Sequence, residues 1–231
     1  MSRSSKIDTP LVLVNFKAYL EGTGANALRL AKIAEKVSLE TGVSIAVALQ
    51  PTDIRIVADQ VEIPVYAQHV DAIDAGAYTG HILAEAVKEA GAAGTLVNHS
   101  ERRLRLSEID EIVRKARSIG LLSVVCTNTA AVSAASAALG PNMVAIEPPE
   151  LIGSGIAVSK ARPEIVTDTV SLIRKIAPQV IVLCGAGITT GEDVRAASKL
   201  GTEGVLLASG VVKAKDQRKA LMDIATAAIE K

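Results

Sequence analysis

Eight short runs of β-branched and aliphatic residues recur along this chain, and a segment of helical character follows nearly every one. The pattern predicts strands near 11–16, 43–48, 63–67, 94–98, 121–126, 142–146, 180–184 and 204–207. Helices are expected over 24–40, 80–90, 107–119, 129–139, 162–176, 190–199 and 216–230, with 51–59 a poor helix. In the first, Leu28, Ala31, Ile33, Ala34 and Val37 share roughly one face, and Gly42 marks the stop. Ser107 and Asp110 resemble a capping box, and Pro163 suits a first helical turn. Strict β–α alternation requires parallel strands joined by crossover helices. Eight evenly spaced units without a linker predict one α/β domain over 1–231, a single parallel eight-stranded (β/α)8 barrel. An open doubly wound sheet is the alternative, but no G-x-G-x-x-G follows the first strand.

Composition agrees with a sheet covered on both faces. Apolar residues make up 49% of the 231, yet aromatics only 2%, so Val, Ile, Leu and Ala must fill the core. Lys plus Arg (25) balances Asp plus Glu (25), which argues against a nucleic-acid partner. No apolar run approaches the roughly 20 residues of a membrane span, and the polar start Met1–Lys6 does not read as a signal peptide. A cytoplasmic protein is expected. Cys126 and Cys184 sit in apolar runs and read as small buried hydrophobes.

Three of the apolar runs end abruptly in groups able to do chemistry. The first leads into Asn15-Phe16-Lys17, the fourth into Asn98-His99-Ser100-Glu101-Arg102-Arg103, and the sixth into Glu147. In a barrel, the carboxyl ends of the strands build the active site. Alternation lets Asn15 and Lys17 face one way and Phe16 the other. Glu147 is followed by Pro148-Pro149-Glu150-Leu151-Ile152-Gly153-Ser154-Gly155, stiff at its near end and permissive at its far end, as in a lid. After the seventh and eighth strands come Gly185-Ala186-Gly187 and Ala208-Ser209-Gly210, placed where barrels bind phosphate. His69 lies at a strand end and could reach the mouth of the site, whereas His81 reads as solvated or capping at a helix start. No His or carboxylate spacing supports a metal site.

Together with Ala67-Gln68 and Gly76-Ala77-Tyr78-Thr79-Gly80, these segments resemble the triosephosphate isomerase family in its own order along nearly the whole chain. The resemblance implies interconversion of dihydroxyacetone phosphate and D-glyceraldehyde 3-phosphate through an enediolate, in glycolysis and gluconeogenesis, with no cofactor and no metal. It implies Glu147 as base, His99 as neutral electrophile, and Lys17, with Asn15, as stabiliser of the enediolate and the phosphate. Asn15, Phe16, Lys17, Ile152, Gly153, Gly187, Ala208 and Ser209 would hold the substrate. Cys126-Thr127-Asn128-Thr129, and Pro149-Glu150-Leu151 in place of a tryptophan-containing stretch, resemble the compact archaeal branch. Another phosphosugar barrel enzyme, or a silent phosphosugar sensor, is the rival reading. A metal epimerase would need more ligands on strand ends, and a Schiff-base aldolase a lysine on strands six to eight. The uncharged helix 128–139 offers only small apolar and hydroxyl groups, so it is expected to pack against another subunit, with Ala134 and Ala138 at the contact. The resemblance to the archaeal branch, which is typically tetrameric, implies a homotetramer.

Overall fold

A computed structural model describes residues 8–148 and 157–230. Eight parallel strands close a barrel in sequence order: β1 (Leu11–Asn15), β2 (Ser44–Leu49), β3 (Val65–Ala67), β4 (Gly94–Val97), β5 (Leu122–Thr127), β6 (Met143–Ile146), β7 (Ile181–Cys184) and β8 (Gly204–Leu207). Closure joins the last strand to the first, with Val12 opposite Val205. The helices are α1 (Ala25–Thr41), α2 (Pro51–Ala58), α3 (Ala84–Glu89), α4 (Leu106–Ser118), α5 (Ala130–Ala138), α6 (Val158–Ala161), α7 (Pro163–Ile176), α8 (Gly191–Lys199), α9 (Ser209–Val212) and α10 (Gln217–Ile229).

The strands are mostly apolar because both faces are buried. Leu11, Leu13, Ala46, Ala48, Leu96, Val124 and Met143 fill the barrel with Tyr66, whereas Val12, Val14, Ile45 and Val47 meet the helices. Tyr66 supplies the bulk that the scarcity of aromatics withholds, and Gly94 makes room for it. A Cβ there would fall within 2.6 Å of both the Tyr66 ring and the Leu122 carbonyl.

Several element boundaries differ from expectation, each for a tertiary reason. Residues 51–58 form a real helix, with Pro51 in its first turn and Ile54, Val57 and Ala58 buried. Its Asp53 accepts bonds from Thr23 Oγ1 and Gly24 N, tying it to the start of α1. The helix expected over 80–90 begins only at Ala84. Asp71 pins residue 82 outside it by accepting the Ile82 N–H, while Asp71 N donates to Ile82 O. His81 is therefore an exposed loop residue, its ring edge-on to Tyr78, and not a helix start. At α4 the cap is Arg105 with Glu108, whose carboxylate accepts the Arg105 N–H at 2.7 Å, and not Ser107 with Asp110. The expected stop of α1 is seen: Gly42 has φ +73° and its N–H returns to Ser38 O. Short α6 and α9 were not legible as separate helices. In α5, Thr129 caps the first turn; Ala134 is buried within the chain, and Ala131, Val132, Ala135 and Ala138 are the exposed residues.

Candidate active site

The carboxyl ends of β1, β4, β6, β7 and β8 surround one cleft. Asn15, Lys17, His99, Glu147, Gly187, Ala208 and Ser209 all line it, so seven of the residues singled out in the sequence converge. Phe16 does not. Its ring is fully buried in the layer between strands and helices, as the alternation around Asn15 and Lys17 requires. His69 is also absent from the lining. It is buried and its Nε2 lies 2.9 Å from Asp71 Oδ1, which Arg102 also engages. Ile152 and Gly153, with the expected lid over 149–155, lie outside the described residues.

Lys17 is delivered by a backbone that a side-chain residue rarely adopts, with φ +50°. Two amides hold it there. Asn15 Oδ1 accepts the Lys17 N–H at 3.0 Å, and Gln68 Nε2 donates to the Lys17 carbonyl at 2.9 Å. Asn98 does the equivalent work beside His99. It has φ +60°, donates from Nδ2 to Cys126 O, and accepts from Leu104 N.

His99 Nδ1 accepts the Glu101 N–H at 3.2 Å, which assigns the ring hydrogen to Nε2. The Glu101 carboxylate also approaches Nδ1, at 3.5 Å, but its other oxygen is committed to Lys17 Nζ at 2.8 Å. A neutral imidazole, with Nε2–H turned into the cleft, satisfies these contacts. Across the cleft, His99 Nε2 is 3.7 Å from Glu147 Oε2. That oxygen is buried and has no hydrogen-bond partner among the described residues. Burial pushes the Glu147 carboxyl above its ordinary range, outweighing the bond from the Cys126 thiol and the attraction of Lys17. The same desolvation drives up the thiols of Cys126 and Cys184, both buried as expected.

Glycines shape the remaining wall. A Cβ on Gly185 would fall 2.9 Å from Glu147 Cγ, so the first glycine of that loop accommodates the carboxylate. A Cβ on Gly210 would fall 2.9 Å from Thr189 Cα, so this glycine lets the two loops touch. Ser209 and Gly210, the first residues of α9, have N–H groups with no helical acceptor. Glu101 and Tyr19 also serve the site but had been given no role. Glu101 meets Lys17 across 84 residues of sequence, a partnership that no local pattern announces.

Fold and site together define a (β/α)8-barrel protein with a base, a neutral imidazole and an ammonium at the mouth, beside two glycine-containing loops. Comparison with known proteins narrows the class. The sequence model of triosephosphate isomerase matches residues 10–228. The chain is 62% identical to the triosephosphate isomerase of Methanobacterium bryantii over 217 residues, covering 94% of this chain and 96% of that protein. It is 58% identical to that of Methanothermus fervidus, covering 95% and 99%. It is 57% identical to that of Methanothermobacter thermautotrophicus, covering 94% and 95%. The chain belongs to the triosephosphate isomerase family.

Proposed function

We propose that this chain, acting as one unit over 1–231, interconverts dihydroxyacetone phosphate and D-glyceraldehyde 3-phosphate in the cytoplasm. The observation that carries this is the buried oxygen of Glu147, without a hydrogen-bond partner among the described residues, facing the N–H-bearing nitrogen of His99. A desolvated carboxylate is a stronger base than one in water. Glu147 takes a proton from the substrate carbon next to the carbonyl and returns it to the neighbouring carbon. His99 Nε2–H gives its proton to the carbonyl oxygen where negative charge develops and takes one back from the neighbouring hydroxyl oxygen, while the Lys17 ammonium stabilises the enediolate. The phosphate lies on the loops at Gly187 and Ala208–Gly210, with Asn15 and Lys17 beside it. Every proton in this scheme is carried by a side chain, so neither metal nor cofactor enters a step.

A coupled assay of glyceraldehyde 3-phosphate isomerisation tests the reading. Turnover is expected. Binding of a triose phosphate without turnover would instead make the chain a phosphosugar-binding barrel.

We further propose that four copies assemble through α5. Its exposed residues, Ala131, Val132, Ala135 and Ala138, form an uncharged face. No described helix is long and apolar enough to cross a membrane.

A further inference from the structure

The carboxylate of Asp193 gathers more donors than a helix cap needs. Its Oδ2 lies within 3.0–3.2 Å of four groups: the N–H and hydroxyl of Thr189, and the N–H and hydroxyl of Thr190. Its Oδ1 lies 2.9 Å from Lys160 Nζ, which also reaches Glu192 at 3.2 Å. Only 5% of Asp193 is exposed. By comparison, Glu108, which holds the same third position in the capping box of α4, accepts the single N–H of Arg105. Burial works to raise the Asp193 pKa, yet the bonds from Lys160, Thr189 and Thr190 outweigh it and hold the group below its ordinary value.

The donors come from a functionally placed segment. Ile188 and Thr189 line the cleft next to Gly187. Thr189 is wedged from the other side by Gly210, so it has little freedom to move independently of the loop after β8. Two further bonds join α6 to the same region: Val158 N donates to Ala186 O, and Ser159 Oγ donates to Asp193 O, each at 3.2 Å. Asp193 therefore sits at the junction of α6, α8 and the loop after β7.

We propose that Asp193, completed by Lys160, is a positioning residue that fixes the loop Gly187–Thr190 in the geometry that receives the substrate's phosphate. Neither side chain touches substrate. Their effect is exerted through Thr189 and Thr190, and the inference rests on the phosphate placement proposed above. A misplaced loop weakens phosphate contacts, whereas a lost helix cap lowers stability alone. The two consequences are separable.

The experiment uses Asp193→Asn, which keeps the shape but removes the charge, and Lys160→Met, which removes the partner. Lys160 is 41% exposed at its side chain, so its loss leaves a folded protein even should Asp193→Asn fail to fold. Loss of one charge-assisted contact predicts a rise of roughly ten-fold in KM for glyceraldehyde 3-phosphate in Asp193→Asn, and less in Lys160→Met. kcat should change less than KM. Binding of inorganic phosphate, measured by calorimetry, should weaken in parallel, and Asp193→Glu should recover part of it. Lowered melting temperatures with unchanged KM and unchanged phosphate affinity would reduce Asp193 to a structural cap and overturn the proposal. Wild-type protein that binds phosphate but does not isomerise would overturn the proposed reaction and leave this positioning role to be decided by the phosphate titration alone.

Discussion

At the scale of single residues, the site is built by side chains at the ends of apolar runs. Glu147→Gln keeps the shape and removes the base, so turnover should fall about 10²–10⁴-fold with the fold intact. Near-normal turnover in the folded variant would reassign the base. Because the Glu147 carboxyl is raised, the acid limb of kcat/KM should lie above the pH at which an ordinary carboxylate titrates. The same shift has a stability consequence. A carboxyl whose folded pKa is raised contributes stability fully below its unfolded pKa, and that contribution is lost as pH rises through the folded value. Glu147→Gln should therefore melt higher than the native protein at neutral pH, with the gap closing in acid. Scanning calorimetry across pH checks the sign. Lys17→Met should raise KM and lower kcat, since it removes charge from an anion site, whereas His99→Gln should act mainly on kcat. The opposite split in steady-state kinetics would exchange their roles. Lys17, His99 and Glu147 were legible because a charged or polar group directly after a buried strand has few other reasons to be there. Phe16 was assigned to the substrate through resemblance, and strand parity, visible in the sequence, sends it to the core. Glu101 was not legible, because its bond to Lys17 exists only once β1 and β4 share a sheet.

At the scale of elements, the strands were readable to within about two residues, since both buried faces demand continuous apolar runs. Helix boundaries were less readable because distant side chains set them. Asp53 ties α2 to α1, and Asp71 delays α3 by capturing Ile82. Asp71 titrates at about 2: burial raises it, but bonds from His69, the Ile82 N–H and Arg102 more than offset that. Its stabilisation is present above the ordinary value of 3.8 and is lost as pH falls through about 2. Asp71→Asn should quicken exchange of the Ile82 amide at neutral pH. An unchanged exchange rate would mean that the backbone pair holds the loop unaided. In β4, Gly94→Ala forces a Cβ against Tyr66 and the Leu122 carbonyl, and should cost about 1–3 kcal/mol in urea unfolding, as overpacked cores do.

At the scale of the whole molecule, formal net charge is zero, so nothing long-range opposes association of identical copies. The α5 proposal is tested by Ala135→Arg with Ala138→Arg, both exposed. Ala134, which the sequence alone had placed at the contact, is buried, and an arginine there would damage the protomer instead. Sedimentation should show a tetramer for the native chain and smaller species for the double variant. Unaltered sedimentation would remove α5 from the interface.

The pairing of Val12 with Val205 also governs how this protein is born. A ribosome makes β1 first and β8 last, about 190 residues later, so at roughly 5–20 residues per second the first strand waits some 10–40 s for its second neighbour. Until then the nascent sheet has two open edges, each a template for another chain. Lys17 is synthesised early, whereas Ala208 and Ser209, which line the same cleft, come last. Translation speed between β1 and β8, and chaperones that shield a strand edge, should therefore affect yield.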